Sequence, residues 1–204
     1  MKGIRFLIRS SLIGGQRLLR LEPGFISFES QKFREEPTRF PVAEIEAFRY
    51  GIHWIRGFQL VMGRIYFIDI RNSAKQMIRI RLRSFCRIGK RKLGEQYLQI
   101  VQSLMDIYFE DVVAHYTGLM DQGMEFELCG LPVTSDGLRL RPKKERVPWE
   151  HLRIHRNIFH FSLVDSRLPN DYKMLFYGSD WNAAIMLAVA DYAVQKNKLS
   201  VKQN

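Results

Sequence analysis

The chain has 204 residues, 46% of them hydrophobic and 26% charged, and its formal net charge is +11. It is long enough to bury a core, as one large domain or two small ones. Two cysteines, Cys86 and Cys129, are too few for a disulfide framework, and neither has a partner at metal-ligand spacing.

Free, buried thiols are the plain reading of the cysteines, and a single bridge between them is the alternative. Charges interrupt any apolar run in Met1–Arg9, so no signal peptide is expected. The longest apolar stretch, Ala183–Val194, contains Asp191 and is too short to span a bilayer. A cytoplasmic protein is expected, with peripheral membrane attachment left open by its charge.

Ile4–Leu12 opens the chain without a clear period. Arg17–Leu21 and Phe25–Phe28 read as strands around a Glu22-Pro23-Gly24 turn. Gln31–Pro41 includes a loop, and Val42–Tyr50 reads as a strand with Pro41 at its start, where a missing N–H is tolerated. Ile65–Arg71 and Met77–Arg83 follow as strands, joined by the turn residues Asn72-Ser73-Ala74-Lys75. In the second of these Ile78, Ile80 and Leu82 alternate with Arg79, Arg81 and Arg83, which lines three guanidinium groups along the wet face of a half-buried strand. Asp69, among alternating apolar neighbours, reads as a lone exposed carboxylate.

From Gly94 the period changes. Tyr97, Val101, Leu104, Tyr108 and Val112 recur at three- and four-residue steps and predict an amphipathic helix to His115 or Leu119. Phe126–Val133, Gly137–Arg141, Trp149–His155, Ile158–Val164 and Tyr172–Tyr177 are the later strand candidates, with a loop at Pro169-Asn170-Asp171. Ser179 is expected to cap a final helix, with Asp180 at its positive end, running to about Lys196. His151 and His155 have a spacing that favours a metal only on a helix; on a strand they read as structural histidines.

The chain says one phrase twice. Arg39-Phe40-Pro41-Val42-Ala43-Glu44-Ile45 is echoed by Arg146-Val147-Pro148-Trp149-Glu150-His151-Leu152, an offset of 107 residues (146 − 39). Arg49 and Arg156 close the two copies, and Gly24-Phe25-Ile26 upstream matches Gly137-Leu138-Arg139. Two copies of one unit are expected, over 1–121 and 122–204. Each is a run of antiparallel strands followed by a helix, an α+β unit. One helix cannot cover both faces of a sheet, so each unit is expected to be a bent antiparallel sheet or partial barrel closed by its C-terminal helix. Gly51–Arg64 has no counterpart in the second copy.

This order of elements, with the Pro-apolar-x-x-apolar frame in both copies, resembles the pleckstrin-homology-like superfamily, and its bacterial members in particular, as a tandem pair. The resemblance implies a non-enzymatic binding module for lipids, peptides or other proteins. The Lys-x(n)-Lys/Arg-x-Arg phosphoinositide signature of eukaryotic members is not matched, so specific inositol-lipid recognition is not carried over.

Charge is unevenly spread. Arg71–Lys92 holds nine basic residues and no acidic one, and Leu93–Leu138 holds eight acidic residues and no Lys or Arg. Either the basic segment attracts phosphate on lipid or nucleic acid, or the two segments face each other and cancel. Arg79, Arg81, Arg83, Arg87, Lys90, Arg91 and Lys92 are the anion-binding candidates, since guanidinium suits bidentate phosphate contact. In Gly51–Arg64 the candidates for a membrane or partner contact are Trp54, Arg56 and Phe58. The alternative there is two longer strands and a turn whose aromatics pack on the second unit. No nucleophile elbow, phosphate loop, dinucleotide fingerprint or zinc-protease motif is present, so no catalytic residue, metal or cofactor is assigned. The expected partner is a protein or an anionic lipid surface, and the alternative is nucleic acid bound through 71–92.

Overall fold

The computed structural model describes residues 3–9, 15–30, 35–57, 60–85, 89–142 and 144–201. They form a mixed α+β chain with four antiparallel sheets, none of which closes on itself. The chain divides into two units, Met1–Glu110 and Asp111–Asn204. Among the described residues no helix is long and apolar enough to cross a membrane.

In the first unit β1 (Ile4–Arg9), β2 (Gln16–Glu22), β3 (Phe25–Phe28) and β4 (Thr38–Pro41) form a meander in chain order. Alternation buries Leu19 and Leu21 of β2 against Ile26 of β3 and Phe40 of β4. Pro41 closes β4 rather than opening a strand. Having no N–H to extend the ladder, it leads into a single 3-10 turn, Val42–Glu44, which redirects the chain into a second sheet. That sheet is β5 (Ile45–Gly57), β6 (Leu60–Asn72) and β7 (Met77–Phe85). Ile78, Ile80 and Leu82 of β7 are fully buried or nearly so, as alternation requires.

Helix α1 (Lys90–Leu104) covers the core face of this second sheet, with Tyr97, Ile100 and Leu104 buried. It begins four residues before Gly94, which lies inside it (94 − 90). The hydroxyl of Tyr66 would stand 3.3 Å from a Cβ at position 94, so glycine here reflects close approach and does not mark a helix start. One π-helical turn, Met105–Phe109, joins α1 to α2 (Glu110–Asp121). The extra residue lets Tyr108 and Phe109 both be buried. Phe109 stacks on Phe48, with centroids 3.9 Å apart, and the Tyr108 hydroxyl lies 2.9 Å from the Glu22 carbonyl and 3.0 Å from that of Phe25.

The second unit repeats this plan. After α2 come β8 (Phe126–Leu128), β9 (Leu131–Val133), β10 (Gly137–Leu138) and β11 (Val147–Pro148), again a four-stranded meander. The single strand expected over 126–133 is a hairpin. Cys129 and Gly130 both have positive φ, 55° and 71°, and fold the segment in two. Then β12 (Leu152–Arg156), β13 (His160–Asp165) and β14 (Tyr172–Phe176) form the three-stranded sheet, and α3 (Ala183–Val201) follows. Ser179 does not cap α3. Gly178–Asn182 is a series of turns, and the Asp180 carboxylate reaches back to accept the Phe176 N–H at 2.7 Å.

Hydrogen bonds fix how the copies correspond. Val42 N–H bonds the Gly24 carbonyl at 3.1 Å, and Trp149 N–H bonds the Asp136 carbonyl at 3.3 Å. Pro41 pairs with Phe25 and Pro148 with Gly137. Phe25 therefore corresponds to Gly137, one residue away from the match suggested by the glycines. The last residue of the middle strand corresponds too. Asn72 pairs with Ile45 and Asp165 with Leu152, and both polar residues are 2% exposed. Each side chain organises its corner: Asn72 Oδ1 accepts the Gln76 N–H at 2.8 Å, and Asp165 Oδ1 accepts the Arg167 N–H at 2.9 Å.

Candidate interaction surface of the first unit

The face of the β5–β6–β7 sheet opposite α1 carries the basic side chains. Strand register sets them in rows: Arg49, Asp69 and Arg79; then Gly51, Phe67 and Arg81; then His53, Ile65 and Arg83. Asp69 is not the exposed lone carboxylate expected of it. It is 2% exposed and sits between two guanidinium groups, Arg49 Nε at 3.1 Å and Arg81 Nη2 at 2.6 Å. The three arginines of β7 are therefore not equivalent. Arg81 is turned onto Asp69, while Arg79 and Arg83 are exposed. Phe67 supports the arrangement from below, with His53 stacked on it at 4.4 Å and the Arg81 guanidinium 5.4 Å from its centroid.

β7 flanks β6 as far as Gly63, opposite Phe85, and past the Ile55–Gly63 pair β5 and β6 continue alone as a two-stranded hairpin to Gly57 and Leu60. The segment without a counterpart in the second copy includes this hairpin, and it is two longer strands. Its side chains stay in water: Leu60 is 74% exposed, Val61 57%, Met62 48% and Trp54 39%. The Arg64 guanidinium lies 4.2 Å above the Trp54 ring, and Arg56 is exposed beside them. A bulge between Ile55 and Arg56 breaks the register near the tip, which places Leu60, Val61 and Met62 consecutively in solvent. Phe58 lies outside the described residues.

The remaining candidates divide between strand and helix. Arg87 lies outside the described residues, and Lys90 is described by its backbone alone, as the first residue of α1. Arg91 and Lys92 are exposed in the first turn, where no acidic residue is present. Cations at the positive end of a helix oppose its dipole, so helix stability does not account for them. Glu95, one turn on, accepts from Arg91 Nε at 2.9 Å and offsets this in part.

Among the described residues, that pair is where the basic and acidic segments meet. Asp121 instead pairs with Lys196 and Asp136 with Arg146. Arg17 was not marked by any sequence pattern. Its guanidinium lies 4.1 Å over the Phe28 ring, and it lines a cleft of about 330 Å³ with Ser30, Thr38 and Arg79. Strand pairing brings Arg17 there from far away in sequence, so no local spacing signals it. Comparison with protein-family models, curated proteins and solved structures finds no match for the chain.

Proposed function

We propose that the protein is a non-enzymatic tandem binding module of pleckstrin-homology-like type, working at an anionic membrane surface through the β5–β6 hairpin of its first unit. The observation that carries this is the exposed tip: Trp54, Leu60, Val61 and Met62 in solvent beside Arg56 and Arg64. The kinship is supported by the shared plan of the two units, a four-stranded meander, a three-stranded meander and a helix, with the same proline-marked corner between the sheets.

Apolar side chains flanked by arginines suit the boundary between acyl chains and anionic headgroups. Burying the four tip side chains from their present exposure contributes on the order of 3–6 kcal/mol, and each nearby cation adds about 1 kcal/mol. That is enough for reversible attachment. Nucleic acid would use the arginines alone and leave the apolar tip in water. A protein partner would need roughly 800 Å² of matched surface, and a narrow projecting tip offers less.

Co-sedimentation with vesicles tests the proposal. The chain should pellet with phosphatidylcholine–phosphatidylserine vesicles at physiological salt and far less with phosphatidylcholine alone. Loss of binding in Trp54→Ser/Leu60→Ser would assign it to the tip. If the chain stays in the supernatant with both vesicles yet retards random DNA or RNA in a gel at the same salt, the nucleic-acid reading replaces this one.

A further inference from the structure

We infer that the second unit carries a membrane-inserting tip of its own, the turn Asn157–Phe159 between β12 and β13, with Phe176 of β14 beside it. This rests on the membrane reading above and extends it to a unit to which that reading gives no contact. Ile158 is 81% exposed, the highest value of any large hydrophobic side chain among the described residues, and Phe159 and Phe176 are 41% and 42% exposed. The sheet sets Phe159 and Phe176 at the same end of neighbouring strands: Tyr177 N–H bonds the Phe159 carbonyl at 3.1 Å, and Phe176 pairs with His160, whose ring lies 5.2 Å from its own. The turn is topologically the same hairpin as the β5–β6 tip, the first of the three-stranded sheet, in a much shorter form.

The backbone of this tip is closed in a way that suits entry into lipid. Asn157 N–H bonds the His160 carbonyl at 2.8 Å, and the Asn157 side-chain oxygen accepts the Ile158 N–H at 2.6 Å. An apolar side chain can then leave water without dragging these unsatisfied polar groups with it. The turn itself does not need isoleucine, since Asn157 supplies the turn chemistry. The nearby carboxylates are engaged: Asp191 by Arg156, and Asp180 by the Phe176 N–H. Lys173 and Arg153 stand further back on the same sheet and outnumber the one carboxylate without a cationic partner here, Asp180, which leaves a small positive excess toward an anionic surface. Three apolar side chains, two on the turn and one at the adjoining end of β14, fall short of the area a stable protein interface needs, whereas a fluid bilayer requires no matching groove.

The test uses the full chain with phosphatidylcholine–phosphatidylserine vesicles. Ile158→Ser/Phe159→Ser should lower the vesicle partition coefficient about tenfold with the melting curve unchanged, because both residues are solvent-facing. In a separate variant, Ile158→Trp, the added indole emission should shift to the blue when vesicles are present. If the wild-type chain binds, loses binding on Trp54→Ser/Leu60→Ser, but binds unchanged as Ile158→Ser/Phe159→Ser with an unshifted indole, this inference alone fails. If the wild-type chain does not bind vesicles, both readings fail together. If the wild-type chain dimerises in sedimentation and the double variant does not, with vesicle binding unchanged, the tip belongs to a second copy and the inference is overturned.

Discussion

Replacing Asp69 with Asn separates stability from anion attraction. The carboxylate is 2% exposed, accepts a hydrogen bond from Arg49 Nε at 3.1 Å and forms an ion pair with Arg81 Nη2 at 2.6 Å, and the two guanidinium side chains are 31% and 27% exposed. A hydrogen bond to a charged group contributes about 1.5–3 kcal/mol, and solvent at the two arginines reduces each contact toward the lower end. Asn keeps the shape and one acceptor but removes the charge, leaving Arg49 and Arg81 repelling each other across a buried amide. The expected loss is about 2–3 kcal/mol. For a unit of roughly a hundred residues this lowers the melting transition by about 8–20 °C. The same change releases two cations on the candidate surface, so binding to phosphatidylserine vesicles, per folded molecule, should rise. Thermal melting by circular dichroism, with co-sedimentation well below the transition, reads both effects. Arg79→Gln, on the same face and exposed, is the control and should move the melt by less than about 0.5 kcal/mol. A melt for Asp69→Asn indistinguishable from wild type would refute the charge network as a structural element. Weaker vesicle binding would refute the link between this face and anions.

Three further outcomes are expected. Tyr108→Phe removes the hydroxyl that bridges the Glu22 and Phe25 carbonyls and should cost about 1 kcal/mol by chemical denaturation, with loosened hydrogen-exchange protection confined to the β2–β3 turn. Gly137→Ala should destabilise the second unit by more than about 2 kcal/mol, because a Cβ would stand 2.3 Å from the Val147 carbonyl oxygen across the β10–β11 pair; a neutral denaturation curve would contradict the tight register. Burial, chiefly, with the Asp180 charge adding, pushes the Cys129 thiol up to about 12, so it should resist an aromatic disulfide reagent at neutral pH until the chain unfolds. Tyr97 and Tyr108 are also raised by burial. These groups keep their protons in the folded state after the unfolded chain has lost them, so stability is full below about pH 8.5 and should fall steadily above it. A flat stability profile between about pH 8 and 11 would show that the three groups titrate as they do in the unfolded chain.

The parts of the fold legible in the sequence were those governed by short-range periodicity. Met77–Arg83 alternates cleanly, and the structure buries one set of its side chains as the pattern requires. The repeated proline phrase likewise marks one corner in both units, where Pro41 and Pro148 end their strands without an N–H to extend the ladder. What was illegible depended on distant partners. Asp69 looks exposed by alternation because its face is wet at Arg79 and Arg83; Arg49 and Arg81, on the strands to either side, close it together. Gly94 looks like a helix boundary until Tyr66 is placed against it. Cys129 adopting positive φ is not suggested by its chemistry, so the β8–β9 hairpin reads as one strand. For the candidate surface, the chemistry of Trp54 and Arg56 was visible in sequence. The inequality among Arg79, Arg81 and Arg83, and the presence of Arg17 in the neighbouring cleft, were not.

The corners built by Asn72 and Asp165 show how the two units differ. Counting onward from each, Ala74 stands where the other unit has Arg167, and Arg167 is the residue whose guanidinium meets the Asp165 carboxylate at 2.8 Å. Its hydrogen bonds hold that carboxyl below the usual carboxylate range, while the amide of Asn72 has no proton to lose. The same corner is therefore written in a neutral form in one unit and in an ionic form in the other. The ionic form is a two-residue word: moving Asp into the first unit without its arginine would bury a charge beside alanine. The pairing gives the corner a direction of tolerance: Asn72→Asp alone should destabilise the first unit, and Asn72→Asp with Ala74→Arg should recover part of the loss.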